Sequence, residues 1–277
     1  MVTLRALLVL ALLAAGPAGA CEVRDFLTTA LPAKADLPWS DALEIAYPGL
    51  EVSANRQTLT LADGQKLPTG QGDVPLSPQE RLEDASITEQ FLQTYPLAFD
   101  LTLREAPWFD PGRARNEPFF RALYGNSKAE AAAGLEEVRW PGDAKAVFMM
   151  SEKTCAATQL RAALAAIHAL GPEMDVYFQT IGGSFNWRVI AGTTRLSGHS
   201  FGMAVDFNTE LGGYWRWSGA QEGKVGPYDN RYPEALVREM ERYGFIWGGK
   251  WHHFDGMHFE YRPELIVYAR LTGGRPD

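Results

Sequence analysis

LSGHSFGMAVDFN, Leu196 to Asn208, puts His199 and Asp206 on either side of a glycine and a run of small apolar residues. Its second half alternates. In an extended strand Met203, Val205 and Phe207 fall on one face, and Ala204, Asp206 and Asn208 on the other. MHFEYR, Met257 to Arg262, repeats the pattern: Met257, Phe259 and Tyr261 turn to a core, while His258 and Glu260 face the opposite surface. If these two strands are neighbours in one sheet, Asp206 and His258 converge. His199, on the turn entering the first strand, then closes over them from the side. Two imidazoles and a carboxylate with an open fourth position form the donor set of a catalytic zinc site. Gly202 allows the tight turn after His199, and Ala204 keeps the face beside Asp206 clear.

Asp255 stands three residues before His258 in HFDGMHFEYRPE, within reach of a water attacking beside that histidine. That is the position of a general base. Read for structure alone, it is a turn aspartate before Gly256. Glu260 shares the strand face of His258 and is the next candidate base. His252 and His253 are adjacent and point apart in extended chain, so they read as rim or packing residues. His168 lies in an Ala-rich helical stretch and reads as structural.

The first twenty residues, MVTLRALLVLALLAAGPAGA, join one early positive charge to an apolar run and a small-residue ending, the pattern of a secretory leader. No later stretch approaches the roughly 18 apolar residues of a membrane helix. The expected location is periplasmic or extracellular. The formal net charge of −8 becomes −9 once Arg5 leaves with the leader. There is no basic patch for nucleic acid and no basic helix for anionic lipid. Cys21 and Cys155 are the two cysteines. They show no zinc-finger spacing, so a metal here is held by His and carboxylate. Two fates are open to Cys21: a disulfide with Cys155, or acylation as a lipid anchor after Ala18-Gly19-Ala20.

Residues 22 to about 115 mix short apolar groups with Pro and Gly and carry no repeat, which reads as irregular chain with a short helix at Thr88–Tyr95. Helices are expected within Arg115–Gly125, starting near Pro118 and stopping at Gly125, at Lys153–Leu170 with its three-and-four apolar spacing, at Pro233–Gly244 and over PELIVYARL, 263–271. DVYFQTIGG, 175–183, reads as a strand ending in a glycine turn. The order of elements is α+β. The division that follows is a leader over 1–20, an irregular, partly helical N-terminal extension over 21–145, and a catalytic domain over 146–277.

SGHSFGMAVD and DGMHFE together resemble the M15 family of zinc D,D-peptidases, which includes D-alanyl-D-alanine carboxypeptidases and L-alanyl-D-glutamate endopeptidases. The resemblance covers roughly residues 150 to 270. It implies a small antiparallel sheet with flanking helices, the M15 and hedgehog-like zinc peptidase fold. It also implies Zn2+ held by His199, Asp206 and His258, with Asp255 as catalytic acid/base and Ser197 in support. Asp rather than Glu at 255 resembles the endopeptidase branch. The family places a substrate-binding arginine upstream of the first histidine, where this chain has Arg188 and Arg195, with Arg188 favoured. FIWGGKWHHFDGMHFEYRPEL, 245–265, is typical of a subgroup with an N-terminal extension. By this resemblance the chain hydrolyses stem peptides of bacterial peptidoglycan. The competing readings are a non-catalytic, zinc-containing peptidoglycan-binding module, which an intact Asp255 disfavours, and a zinc carrier, which would need histidine-rich tracts.

Overall fold

The computed structural model describes residues 21–70 and 76–273; the expected leader, residues 1–20, lies outside them. Pro38 opens α1 (Pro38–Ala46), which buries Ala42, Leu43 and Ala46. An antiparallel sheet of β1 (Glu51–Val52), β2 (Thr58–Thr60) and β3 (Lys66–Pro68) follows. The extension is thus partly helical, as expected, but also carries strands. Next, α2 (Pro78–Glu83) starts on a reciprocal cap: Ser77 Oγ accepts the Glu80 N–H at 3.2 Å, and the Glu80 carboxylate accepts the Ser77 N–H at 2.8 Å. The helix expected at Thr88–Tyr95 is a single 3-10 turn over Thr88–Phe91. After it come α3 (Glu117–Tyr124), capped by Asn116, then α4 (Lys128–Ala132) and a hairpin of β4 (Leu135–Arg139) and β5 (Val147–Ser151).

Next is α5 (Ala156–His168), shorter than its apolar period because Cys155 at its N-cap has φ of 67° and cannot continue a helix. Cys155 is bridged to Cys21. With its sulfur in that bridge, Cys21 takes the disulfide branch of the two readings, and the lipid anchor expected as the alternative is corrected. The strand expected over 175–183 is also corrected. Residues Pro172–Phe178 form 3-10 turns, and only β6 (Ile181–Gly183) is extended. Pro172 opens that helical segment, and it buries Met174 and Phe178, four residues apart, which is helical spacing. Phe178 then stacks on Trp140, ring centroids 3.6 Å apart.

The C-terminal half holds β7 (Ala204–Asn208), α6 (Thr209–Gly212), α7 (Glu234–Arg242), β8 (Phe245–Trp247), β9 (His258–Tyr261) and α8 (Pro263–Leu271). One antiparallel sheet has the order β6-β7-β9-β8. The fold is α+β with small antiparallel sheets and flanking helices. At the sheet centre Asp206 is opposite His258 and Ala204 opposite Glu260. The apolar face of the same pair drives this register: Phe207 packs on Phe259 with centroids 4.9 Å apart and on Phe178 at 4.7 Å. A slip by one residue would send those rings to the polar face. Phe26, Leu43, Phe119, Phe148, Phe207 and Ile266 belong to one continuous core, so the extension and the sheet share an apolar interior.

Candidate metal centre and active-site cleft

Register alone brings Asp206 to His258, and a separate element brings His199. The 3-10 turn Gly198–Phe201 starts on Ser197, whose hydroxyl accepts the His199 N–H at 3.4 Å. It ends on Gly202, with φ of 65°, where a side chain would meet Leu135. The turn drops His199 over the polar face of β7. His199 Nε2 lies 3.2 Å from Asp206 Oδ2 and 3.2 Å from His258 Nδ1, and His258 Nδ1 lies 2.9 Å from Asp206 Oδ1. One ligand atom from each of these three residues lies within 4.8 Å of the other two.

Each outer ring nitrogen has its own acceptor. His199 Nδ1 donates to the Ser184 carbonyl at 2.6 Å, and His258 Nε2 donates to Glu260 Oε2 at 3.2 Å. Both inner nitrogens are therefore lone-pair donors aimed at one point beside a carboxylate. Without a cation such a cluster must hold a proton. Burial opposes the charge on His258, but Asp206 and Glu260 overcome it and raise that imidazole to about 10. Burial likewise opposes the charge on Asp206, yet His199 and His258 hold it far below the usual carboxylate range. The donor set fits zinc: separations of 2.9–3.2 Å are close to the roughly 3.3 Å between ligands at a tetrahedral ion with 2.0–2.1 Å bonds.

The centre opens into a cleft of about 290 Å³ whose walls include Arg113, Arg115, Arg188, Ser197, Tyr214, Trp251 and Asp255. Asp255 Oδ1 is buried and has no hydrogen-bond partner, so the carboxylate is not spent on the turn before Gly256. Burial first, and the charge of Asp206 second, push its carboxyl up to about 6, against the pull of His258, His199 and Arg113. Arg188 is exposed on the cleft wall, and its guanidinium makes no hydrogen bond or ion pair among the described residues. Met257, expected in the core, is buried at the cleft wall instead, one residue before β9 begins.

Arg195, the other arginine expected to bind substrate, is not among the residues lining this cleft. It is buried, with Nε 3.4 Å from Glu83 and Nη1 donating to the Arg113 carbonyl at 3.2 Å. Burial and the charges of Arg115 and Arg113 pull it down to about 10. His252 and His253 are buried, and His253 also lines the cleft: His253 Nδ1 donates to Asp110 at 2.7 Å, and His252 Nδ1 to the Arg104 carbonyl at 2.9 Å. His168 is exposed at the end of α5, its ring edge-on to Trp140. Glu260 turns away from the open side, behind His258, and is wholly buried. Arg113 and Arg115 are cleft residues that sequence reasoning missed, because they lie in the stretch without motif or period.

Residues 191–261 match the peptidase M15 family model described as D-alanyl-D-alanine carboxypeptidase. The matched segment holds His199, Asp206, Asp255 and His258; Arg113, Arg115 and Arg188 lie outside it. The match is to a peptidase model and covers this segment alone. No curated protein and no solved structure matches the chain.

Proposed function

We propose that this chain, which carries a peptidase M15 D-alanyl-D-alanine carboxypeptidase domain at residues 191–261, is an extracytoplasmic zinc peptidase acting on the stem peptides of bacterial peptidoglycan. The observation that carries the reading is the convergence of His199, Asp206 and His258 in the same cleft as the unpartnered carboxylate of Asp255. Those three side chains would hold the zinc, which when bound supplies Lewis acidity toward the scissile carbonyl and the attacking water. Asp255 takes the proton of the attacking water and returns it to the leaving amine. A carboxyl raised to about 6 is a stronger base than an ordinary one. Ser197 fixes the turn that carries His199.

Substrate anchoring falls to the unpaired fork of Arg188, whose planar guanidinium suits a carboxylate. The formal net charge of −8 repels anionic stem peptides, so an arginine in the cleft must supply the attraction locally. The Cys21–Cys155 bridge fits an oxidising compartment outside the cytoplasm. Among the described residues no helix is long and apolar enough to cross a membrane.

The test is digestion of purified peptidoglycan and of a D-Ala-D-Ala-terminated pentapeptide by the zinc-loaded protein, with fragments identified by mass spectrometry. Free D-Ala identifies a carboxypeptidase, and opened stems or cross-links identify an endopeptidase. Intact substrates after exhaustive incubation with zinc-loaded protein would overturn the reading and leave the binding module.

A further inference from the structure

We infer that the N-terminal region supplies a positioning residue to the metal centre: Arg115, acting through Glu260, fixes the tautomer and orientation of His258. The inference rests on the metal centre of the proposed function, but not on its peptidase chemistry.

The guanidinium of Arg115 grips both oxygens of Glu260. Nε donates to Oε1 at 2.7 Å, and Nη2 donates to Oε2. Glu260 Oε2 also accepts the His258 Nε2–H at 3.2 Å, while Arg262 Nη1 reaches Oε1 at 3.4 Å. These donors occupy the carboxylate from both ends, so it is unavailable as a base and is committed to the ring behind the metal site. Arg115 is itself held. Arg262 Nη1 donates to the Gly112 carbonyl at 2.8 Å, and the Asn116 N–H donates to Gln90 Oε1 at 3.2 Å. The segment on either side of Arg115 is therefore pinned to groups that are buried.

A second observation points to the same carboxylate. A Cβ on Gly198 would lie 2.9 Å from Glu260 Oε2. The glycine in Ser-Gly-His leaves room for that oxygen beneath the turn carrying His199. Both imidazoles of the centre are thus seated with reference to Glu260, and Glu260 with reference to Arg115.

A carboxylate on the outer nitrogen of a ligating histidine fixes its tautomer and raises the basicity of the inner nitrogen, and losing it typically lowers metal affinity about 10- to 100-fold. A two-point fork aligns the carboxylate plane, which a lysine ammonium cannot do. An ion pair that served stability alone would move the melting temperature and leave the metal untouched.

The experiment measures zinc affinity by chelator competition, and the d–d spectrum of the cobalt(II)-substituted protein. The set is the full chain, Arg115→Lys, Arg115→Met, Glu260→Gln and the double variant Arg115→Met/Glu260→Gln. Each single variant should bind zinc about 10- to 100-fold more weakly and shift the cobalt spectrum. The double variant should bind no more weakly than Glu260→Gln alone, since the two residues act in series. Should Arg115→Met fail to fold, the lysine variant and the double variant, which leaves no buried charge at 260, carry the comparison. A folded Arg115→Lys with parental zinc affinity and an unshifted cobalt spectrum overturns the inference, as do losses that add in the double variant. A parent chain that binds no zinc overturns the metal centre and this inference together. Absence of peptidase activity in a zinc-binding parent overturns only the proposed function, because these affinities still decide the role of Arg115.

Discussion

At Asp255 two consequences follow from one environment. Its raised carboxyl, at about 6, compares with about 3.9 in an unfolded chain. The folded state therefore binds this proton more tightly. The stability it contributes is full below about pH 4 and is lost as pH rises through about 6. In the metal-free protein, Asp255→Asn should stabilise the fold at pH 8 by on the order of 1–2 kcal/mol and leave it nearly unchanged at pH 4. Urea unfolding in the presence of chelator checks this, and an equal effect at both pH values would contradict it. In the zinc-loaded protein the proton-accepting role proposed for Asp255 predicts that turnover falls about 10² to 10⁴-fold, with zinc content intact by elemental analysis. Loss of zinc would instead make Asp255 a ligand. Arg188→Lys keeps the charge without the fork. Steady-state kinetics should show a raised KM for stem peptides at unchanged zinc content.

Among the elements, β7 and β9 carry the centre, and their apolar faces fix its register. The Phe207–Phe259 contact and the Asp206–His258 contact come from opposite sides of one strand pair. The sheet thus couples packing to ligand geometry. The N-terminus of α5 is set in a different way, by the Cys21–Cys155 bridge at its cap. That bridge closes a loop with a sequence separation of 134 residues, and a loop of this length restricts the unfolded chain strongly. Cys155→Ala or reduction should lower the unfolding free energy by about 2–5 kcal/mol. Urea titrations with and without reductant measure the loss, and coincident titrations would deny the bridge a part in stability.

Across the whole molecule the N-terminal extension is built into the C-terminal half rather than appended to it. α1 packs on α8, Tyr47 donates to Glu264 at 2.7 Å, and Arg262 holds the Gly112 carbonyl. Removing residues 21–115 would leave Glu260, Arg262 and Glu264, all buried, without several of these partners, and a buried charge stripped of its partner is strongly destabilising. A chain beginning at Asn116 should therefore be recovered unfolded or aggregated, as judged by circular dichroism and size-exclusion chromatography. A folded monomer with parental zinc affinity would show that the extension is dispensable, and that Arg115 has no part in the centre.

The amino-acid sequence by itself determined what rests on local period and spacing. These are the alternation that puts Asp206 and His258 on polar strand faces, the turn at His199, the apolar rhythm of α5, the bounding Pro233 and Gly244 of α7, and Asp255 three residues before His258. The M15 resemblance was legible for the same reason, since its motifs are contiguous. The 3-10 turns at Pro172–Phe178 were not, because a short apolar run at 175–183 satisfies strand and helix readings alike. Only the tertiary structure decided that β7 and β9 are neighbours, that Arg195 turns to Glu83 while Arg188 lies exposed on the cleft wall, and that Arg113 and Arg115 reach the cleft. Arg115 and Glu260 are 145 residues apart. No local period connects them, and their meeting follows from the shared core that seats the extension against the sheet.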